Sequence, residues 1–214
     1  MRKHQPLRLR LNNRGFTLAE LLIGLFVSGI VMTTILSAYY TQNKSYAVQD
    51  QLAAMVQNLR AAMDIMIRET RMAGYDPTGT ADARIVDANP ASLTITEDID
   101  GDGSISSDES ITYSLADSDL DGDNDLERNS NLIAENIDAL DFVYLDENDA
   151  ATTLPSEIRS IQITMVAKTQ KIDHGYRDTI TYANQGGTPI FGPPNDSFRR
   201  RRLTAEVKCR NLGL

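Results

Sequence analysis

Residues 14–20 read RGFTLAE, and they open an apolar run that continues to residue 40 as FTLAELLIGLFVSGIVMTTILSAYY. A run of this length can cross a bilayer as a helix, which takes about 20 predominantly apolar residues. Five basic residues and no acidic residue precede Phe16. Because positively charged flanks stay on the cytoplasmic side, the pattern predicts a membrane-anchoring helix whose leader remains in the cytoplasm.

One residue of the run needs a partner. Glu20 lies five residues into it, and a carboxylate inside the bilayer costs ~2.5–3.5 kcal/mol on insertion scales. A plain signal-anchor helix explains the length of the run but leaves Glu20 unexplained, and no A-x-A-like secretory cleavage site follows. A cut between Gly15 and Phe16 would create an α-amino group, which Glu20 of a neighbouring subunit could neutralise in a low-dielectric helix bundle.

The segment RGFTLAE resembles the class III signal of type IV prepilins, which has a basic leader, Gly before the cut, Phe after it and Glu at the fifth mature position. The resemblance implies that a prepilin peptidase cleaves after Gly15 and methylates the amine of Phe16. It also implies a bacterial inner-membrane protein that assembles with other major and minor pilins through its N-terminal helix at a pilus assembly platform. The mature subunit would then face the periplasm and, in a pilus, the cell surface.

The helical period continues beyond the membrane segment. Apolar residues spaced by three or four form one stripe from Val48 through Leu59 to Met66. Gly74 and Pro77 then end the pattern. We predict a helix from Phe16 to about residue 73, with a cleaved leader at 1–15, a transmembrane half at 16–40 and an amphipathic half at 41–76.

The remaining residues, 77–214, predict a β-rich globular domain. Apolar residues alternate with polar ones around Leu93, Ile111 and Ile161, and residues 142–145 and 203–209 are further strand candidates. A helix followed by strands indicates an α+β fold in which an antiparallel sheet packs on the amphipathic half of the helix. The single cysteine, Cys209, rules out an intrachain disulfide and fits a buried strand position.

Residues 98–109 match a twelve-residue calcium loop between two strands, without the flanking helices of an EF-hand. A hard cation such as Ca²⁺ takes six to eight oxygen ligands. Gly103 provides the turn at position six. The predicted ligands are Asp98, Asp100, Asp102, Ser104 through its carbonyl, Ser106 through water, and Glu109. A structural calcium ion would hold together a long loop that has few apolar residues, whereas the alternative is a solvated acidic turn.

A second acidic run repeats the start of this pattern, but Arg128 stands where the closing Glu belongs. This run is a weaker calcium loop, a loop closed by Asp125 or Glu127, or only a charged turn. Its candidate ligands are Asp117, Asp119, Asp121, Asp123 and Asp125.

The composition argues against nucleic acid as the main partner. The formal net charge is −9, there is no Trp, and the run at 199–202, RRRR, would place its side chains alternately on two faces of a strand. These arginines can equally pair with acidic groups of this subunit or of an adjacent one. The two histidines, His4 and His174, accompany no nucleophile, zinc or nucleotide motif, so we predict a non-catalytic protein.

Three functions remain open on these grounds. The stretches IMIRETRMAGYDP and RRRLTAEVKCRNLGL resemble the helix end and the last strand of PilW-like minor pilins, which implies a minor pilin that primes or enters a type IV pilus. The J-type pseudopilin of type II secretion is similar. A membrane-tethered, calcium-dependent adhesin would use the pilin-like start only for delivery.

Overall fold

The structure is a computed structural model of the chain and describes residues 15–213. The predicted leader therefore lies outside the described residues, except for Gly15. Helix α1 spans Leu18–Met72. The chain divides into two units, Met1–Ala47 and Val48–Leu214, which we describe in turn.

In the first unit, α1 contains the predicted membrane segment. One 18-residue window has a mean hydropathy of 2.2 and none of it is buried, so this helix is long and apolar enough to cross a membrane. The prediction started the helix at Phe16, but it begins two residues later, after Thr17.

The second unit contains the rest of α1 and, within residues 48–213, ten strands in three antiparallel sheets. One sheet has the order β1-β2-β3-β4-β5, another β10-β7-β6, and the third β8-β9. The strands are β1 Ile85–Asn89, β2 Ser92–Thr96, β3 Ser110–Ala116, β4 Asp125–Arg128, β5 Asn131–Ala134, β6 Ile137–Leu145, β7 Ser160–Lys168, β8 Tyr182–Ala183, β9 Pro189–Phe191 and β10 Arg200–Lys208. Two short 3-10 helices span Ser107–Glu109 and Pro155–Glu157.

The predicted α+β class is confirmed, with more strands than the alternation revealed. Each stretch with clear alternation lies in β2, β3, β6, β7 or β10. The strands that the sequence did not predict, β1, β4, β5, β8 and β9, have two to five residues. Such short segments contain too few alternating positions to stand out, and pairing with a longer neighbour stabilises them.

The apolar stripe of α1 forms the centre of the core in the second unit. Leu59, Ala62 and Met66 are at most 2% exposed. They belong to one cluster with side chains of both larger sheets, including Ile95 and Ile163. Burial of an apolar side chain of this size is worth about 1.5–3 kcal/mol, so this stripe is a main source of stability. Cys209 is buried as predicted but lies just after β10, which ends at Lys208, and burial raises the pKa of its thiol to about 12.

The C-terminal end of α1 is capped by the last residues of the chain. Gly74 has a φ of +79° and donates its N–H to the carbonyl oxygen of Thr96 at 3.0 Å. Asn211 donates its side-chain N–H to the carbonyl oxygens of Arg71 and Met72 at 3.4 and 3.3 Å. The predicted helix stop at Gly74 is therefore right, and the tail that supports it comes from the far end of the sequence.

Gly74→Ala should lower the free energy of unfolding by about 1–3 kcal/mol, because the new Cβ would have a positive φ and would clash with the side chain of Leu212. The measurement is denaturant unfolding of the full-length protein in detergent. Gly79→Ala is the matched control, since Gly79 has a φ of +70° but open space around it. Equal losses in both variants would contradict the role of the Leu212 contact.

Candidate functional sites at the helix start and in the acidic loops

The predicted cleavage site lies just before the helix. Gly15 and Phe16 are exposed and non-helical, and the Phe16 side chain is 89% exposed. The peptide bond between them therefore lies outside α1 and at the surface.

Thr17 and Glu20 form a capping box at the start of α1. Thr17 donates its backbone N–H and its hydroxyl to Glu20 Oε2 at 2.8 and 2.9 Å, and the backbone N–H of Glu20 donates to Thr17 Oγ1 at 3.2 Å. These reciprocal bonds satisfy donors that a helix start leaves unpaired, so the helix begins after Thr17. The T-x-x-E spacing was a readable signal for this cap that the sequence analysis missed. Among the described residues, no hydrogen bond uses the other carboxylate oxygen of Glu20.

The first acidic loop brings three of its predicted ligands together. Carboxylate oxygens of Asp98, Asp100 and Asp102 lie within 4.8 Å of one another, with Asp98 buried and the other two exposed. Gly103 donates its N–H to Asp98 Oδ2 at 3.2 Å. Gly101 and Gly103 both have positive φ values, which turn the loop around the cluster.

Glu109, the predicted ligand at position twelve, lies outside that group of carboxylates. Glu109 is buried and accepts backbone N–H groups of Ile99 at 2.7 Å and Ser106 at 2.9 Å. The hydrogen bond from the Ser106 backbone is the main cause that lowers the pKa of Glu109. Ser104 donates its hydroxyl to Asp102 at 2.7 Å. Glu109 therefore closes the loop through the backbone, and the three aspartates are the predicted ligands whose carboxylates come together.

The second acidic loop also brings three carboxylates together, but they are not all the ones that the spacing would pair. Asp117, Asp119 and Asp125 come within 4.8 Å, whereas Asp121 lies outside that group. Asp123, also outside it, forms an ion pair with Lys168. Partial desolvation is the main cause that raises the pKa of Asp119, and repulsion from neighbouring carboxylates adds to it.

Arg128, which interrupts the calcium pattern of the second loop, contributes to the packing of the helix on the sheet. It donates from Nε to Glu69 of α1 at 2.9 and 3.0 Å, and the hydroxyl of Tyr113 also contacts this carboxylate. The twelfth position thus joins β4 to the helix. The sequence showed that a ligand was missing there, and the fold shows which contact takes its place.

The arginine run is largely occupied within the subunit. Arg199 pairs with Asp173 at 2.8 Å. Arg200 is 6% exposed and contacts three aspartates, Asp138 at 2.6 Å, Asp196 at 2.6 Å and Asp178 at 3.3 Å. The pairs of Arg200 with Asp178 and Asp196 fasten the long connection 169–199 to β10, and its pair with Asp138 joins β10 to β6. The sequence analysis left this role among several alternatives.

Comparisons with known proteins match the N-terminal segment to a family model and a larger part of the chain to a solved structure. Residues 10–36 match the family model described as "Prokaryotic N-terminal methylation motif". No curated protein matches the chain. Among solved structures, a type IV-like pilin from Thermus thermophilus aligns over 74% of this chain and 98% of its own, with 14% identity and a TM-score of 0.49. The chain is therefore type IV pilin-like in its N-terminal segment, where it carries the class III signal.

Arg200→Ala should destabilise the protein by about 3–5 kcal/mol, because it leaves the buried carboxylate of Asp178 without its cation and removes the nearest cation from Asp138. Arg201→Ala is the matched control, because the Arg201 side chain next to Arg200 is exposed. This substitution should change the free energy of unfolding by less than about 0.5 kcal/mol. Thermal and denaturant unfolding of the two variants checks this. Similar losses in both would contradict the fastening role of Arg200.

Proposed function

We propose that this protein is a minor pilin, PilW-like, which assembles into or primes a type IV pilus and has a structural, non-catalytic role. The observation that carries the proposal is the prepilin signal leading directly into a helix whose apolar part is unburied. A helix with this surface needs either lipid or other apolar helices around it. Prepilin peptidase and other pilins are the partners that follow, with the inner membrane as the site of assembly.

The start of α1 supports an electrostatic contact between subunits. After cleavage, the new amine of Phe16 would carry a positive charge. Thr17 contacts only Oε2 of Glu20 within the described residues, so the second oxygen can accept the amine of a neighbouring subunit. In a low-dielectric bundle this pair would be strong, and it would set the axial position of one helix against the next.

A minor pseudopilin of a type II secretion system would use the same signal and the same helix. The two PilW-like stretches favour the pilus. Deletion of the gene separates the two functions, since loss of surface pili with normal secretion supports the minor pilin and the reverse supports the pseudopilin. The alternative of a calcium-dependent adhesin requires ligand binding that a chelator removes.

Gly15→Leu should block processing and leave a precursor that is longer by the leader, as mass spectrometry of the membrane fraction would show.

Glu20→Ala should be processed normally but recovered in sheared filaments at about one-tenth of the wild-type level, since losing about 1.4 kcal/mol corresponds to a tenfold change. Glu20→Asp is the matched control that keeps the charge. Normal cleavage of the first variant, or normal incorporation of the second, would refute the proposed processing or pairing.

We also propose a structural calcium ion in the first acidic loop, held by Asp98, Asp100 and Asp102, with Ser104, Ser106 and Glu109 as the remaining candidate ligands. The three converging carboxylates support it, because their mutual repulsion falls when a cation binds between them. The second loop is a weaker candidate, centred on Asp117, Asp119 and Asp125. Asp121 and Asp123 would need to move to join it.

Calcium should raise the melting temperature of the full-length protein in detergent, and Asp100→Asn should abolish most of this gain while leaving the melting temperature in chelator nearly unchanged. At a hundred times the Kd, bound calcium would add about 2.7 kcal/mol. Asp108→Asn, an exposed acid of the same loop outside the cluster, is the control and should retain the gain. Equal effects of Asp100→Asn with calcium and with chelator would rule out the site.

A further inference from the structure

Leu120 occupies an unusual place at the tip of the second acidic loop. Its side chain is 87% exposed and its φ is +63°. The first loop has Gly101 at the equivalent fourth position, with a φ of +71°. A left-handed backbone suits glycine and crowds the Cβ of other residues. The second loop therefore holds a large apolar side chain in solvent at a position where glycine would be easier to accommodate.

The base of this loop is fixed, so the exposed tip has a defined direction. Asp125 accepts the backbone N–H of Asn136 at 3.0 Å and that of Ser118 at 3.3 Å. Asp123 pairs with Lys168. We call Asp119, Leu120 and Asp121 the acidic tip. A surface that binds it must offer an apolar floor for the leucine and cations at the rim, and the paired carboxylates disfavour an anionic membrane.

The same chain has a groove with these properties between α1 and β10. Its volume is about 730 Å³, and its lining residues include Leu52, Val56, Arg60, Asp64 and Arg201. Arg60 and Arg201 are exposed, and neither forms an ion pair with another described residue. We call this the Arg60–Arg201 groove. Arg199 and Arg200, by contrast, are paired with aspartates of their own chain.

We propose that the acidic tip of one copy docks into the Arg60–Arg201 groove of a second copy. Leu120 covers Leu52 and Val56, and Asp119 and Asp121 pair with the two arginines. The tip and the groove are different surfaces, so the contact is heterologous and can repeat from copy to copy. This contact goes beyond the proposed function, because it involves only the globular unit and depends neither on leader cleavage nor on the Glu20 pair.

Photo-crosslinking in the full-length protein tests the contact. A benzophenone amino acid at position 120, in neutral detergent with chelator, should give dimer adducts whose crosslinked peptide covers residues 52–64 of an isotope-labelled second copy. The matched control is the same probe at Ile99, an apolar residue of the first loop that is 61% exposed. Adducts with any other surface, with detergent alone, or equally from both positions would overturn the proposal.

Two sets of variants test its chemistry. Leu120→Gly should keep or raise the melting temperature, since it relieves the left-handed backbone, and should weaken self-association by about tenfold, as loss of a buried anchor does. Self-association is measured by sedimentation in detergent. A copy with Arg201→Glu should fail to capture the wild-type protein but should capture a copy with Asp119→Arg and Asp121→Arg. Unchanged association of Leu120→Gly, or no recovery with the reversed charges, would overturn the proposal.

Discussion

The burial of one face of α1 against two sheets is the constraint on which the globular unit depends. Leu59, Ala62 and Met66 are almost completely removed from water, and they contact residues of both larger sheets. Because a short strand cannot bury enough apolar surface by itself, β1, β4 and β5 are stable only as parts of a sheet that covers this helix. The helix therefore contains the predicted membrane segment in its N-terminal part and the centre of the domain core in its C-terminal part.

Long acidic connections lie around this core, and polar contacts hold them. Glu109 closes the first acidic loop on backbone N–H groups, and Asp125 does the same for the second. Arg200 fastens the connection 169–199 through two of its aspartates, Asp178 and Asp196. A chain without disulfides thus orders its loops through charged hydrogen bonds, which are about twice as strong as neutral ones.

The pilin-like signal and the acidic loops lie in different parts of the chain. The helix carries the N-terminal signal, and the acidic loops form exposed clusters of carboxylates on the globular unit. Leu120 has a positive φ and exposes a large apolar side chain to water, and both features are unfavourable in an isolated subunit. The proposed contact with a second copy would explain why a leucine occupies this position.

The sequence alone determined the features that depend on neighbours along the chain. Helical period, alternation in β2, β3, β6, β7 and β10, the stop at Gly74 and the signal around Phe16 are local, so they could be read directly from residue types. Only the tertiary structure decided which acidic side chains lie together and which pair with a basic residue. It placed Arg128 on Glu69, Arg200 among three aspartates, and Asp123 on Lys168 rather than in the second acidic cluster. These contacts join residues that are far apart in sequence, and their partners follow from the pairing and register of strands, which spacing along the chain does not specify.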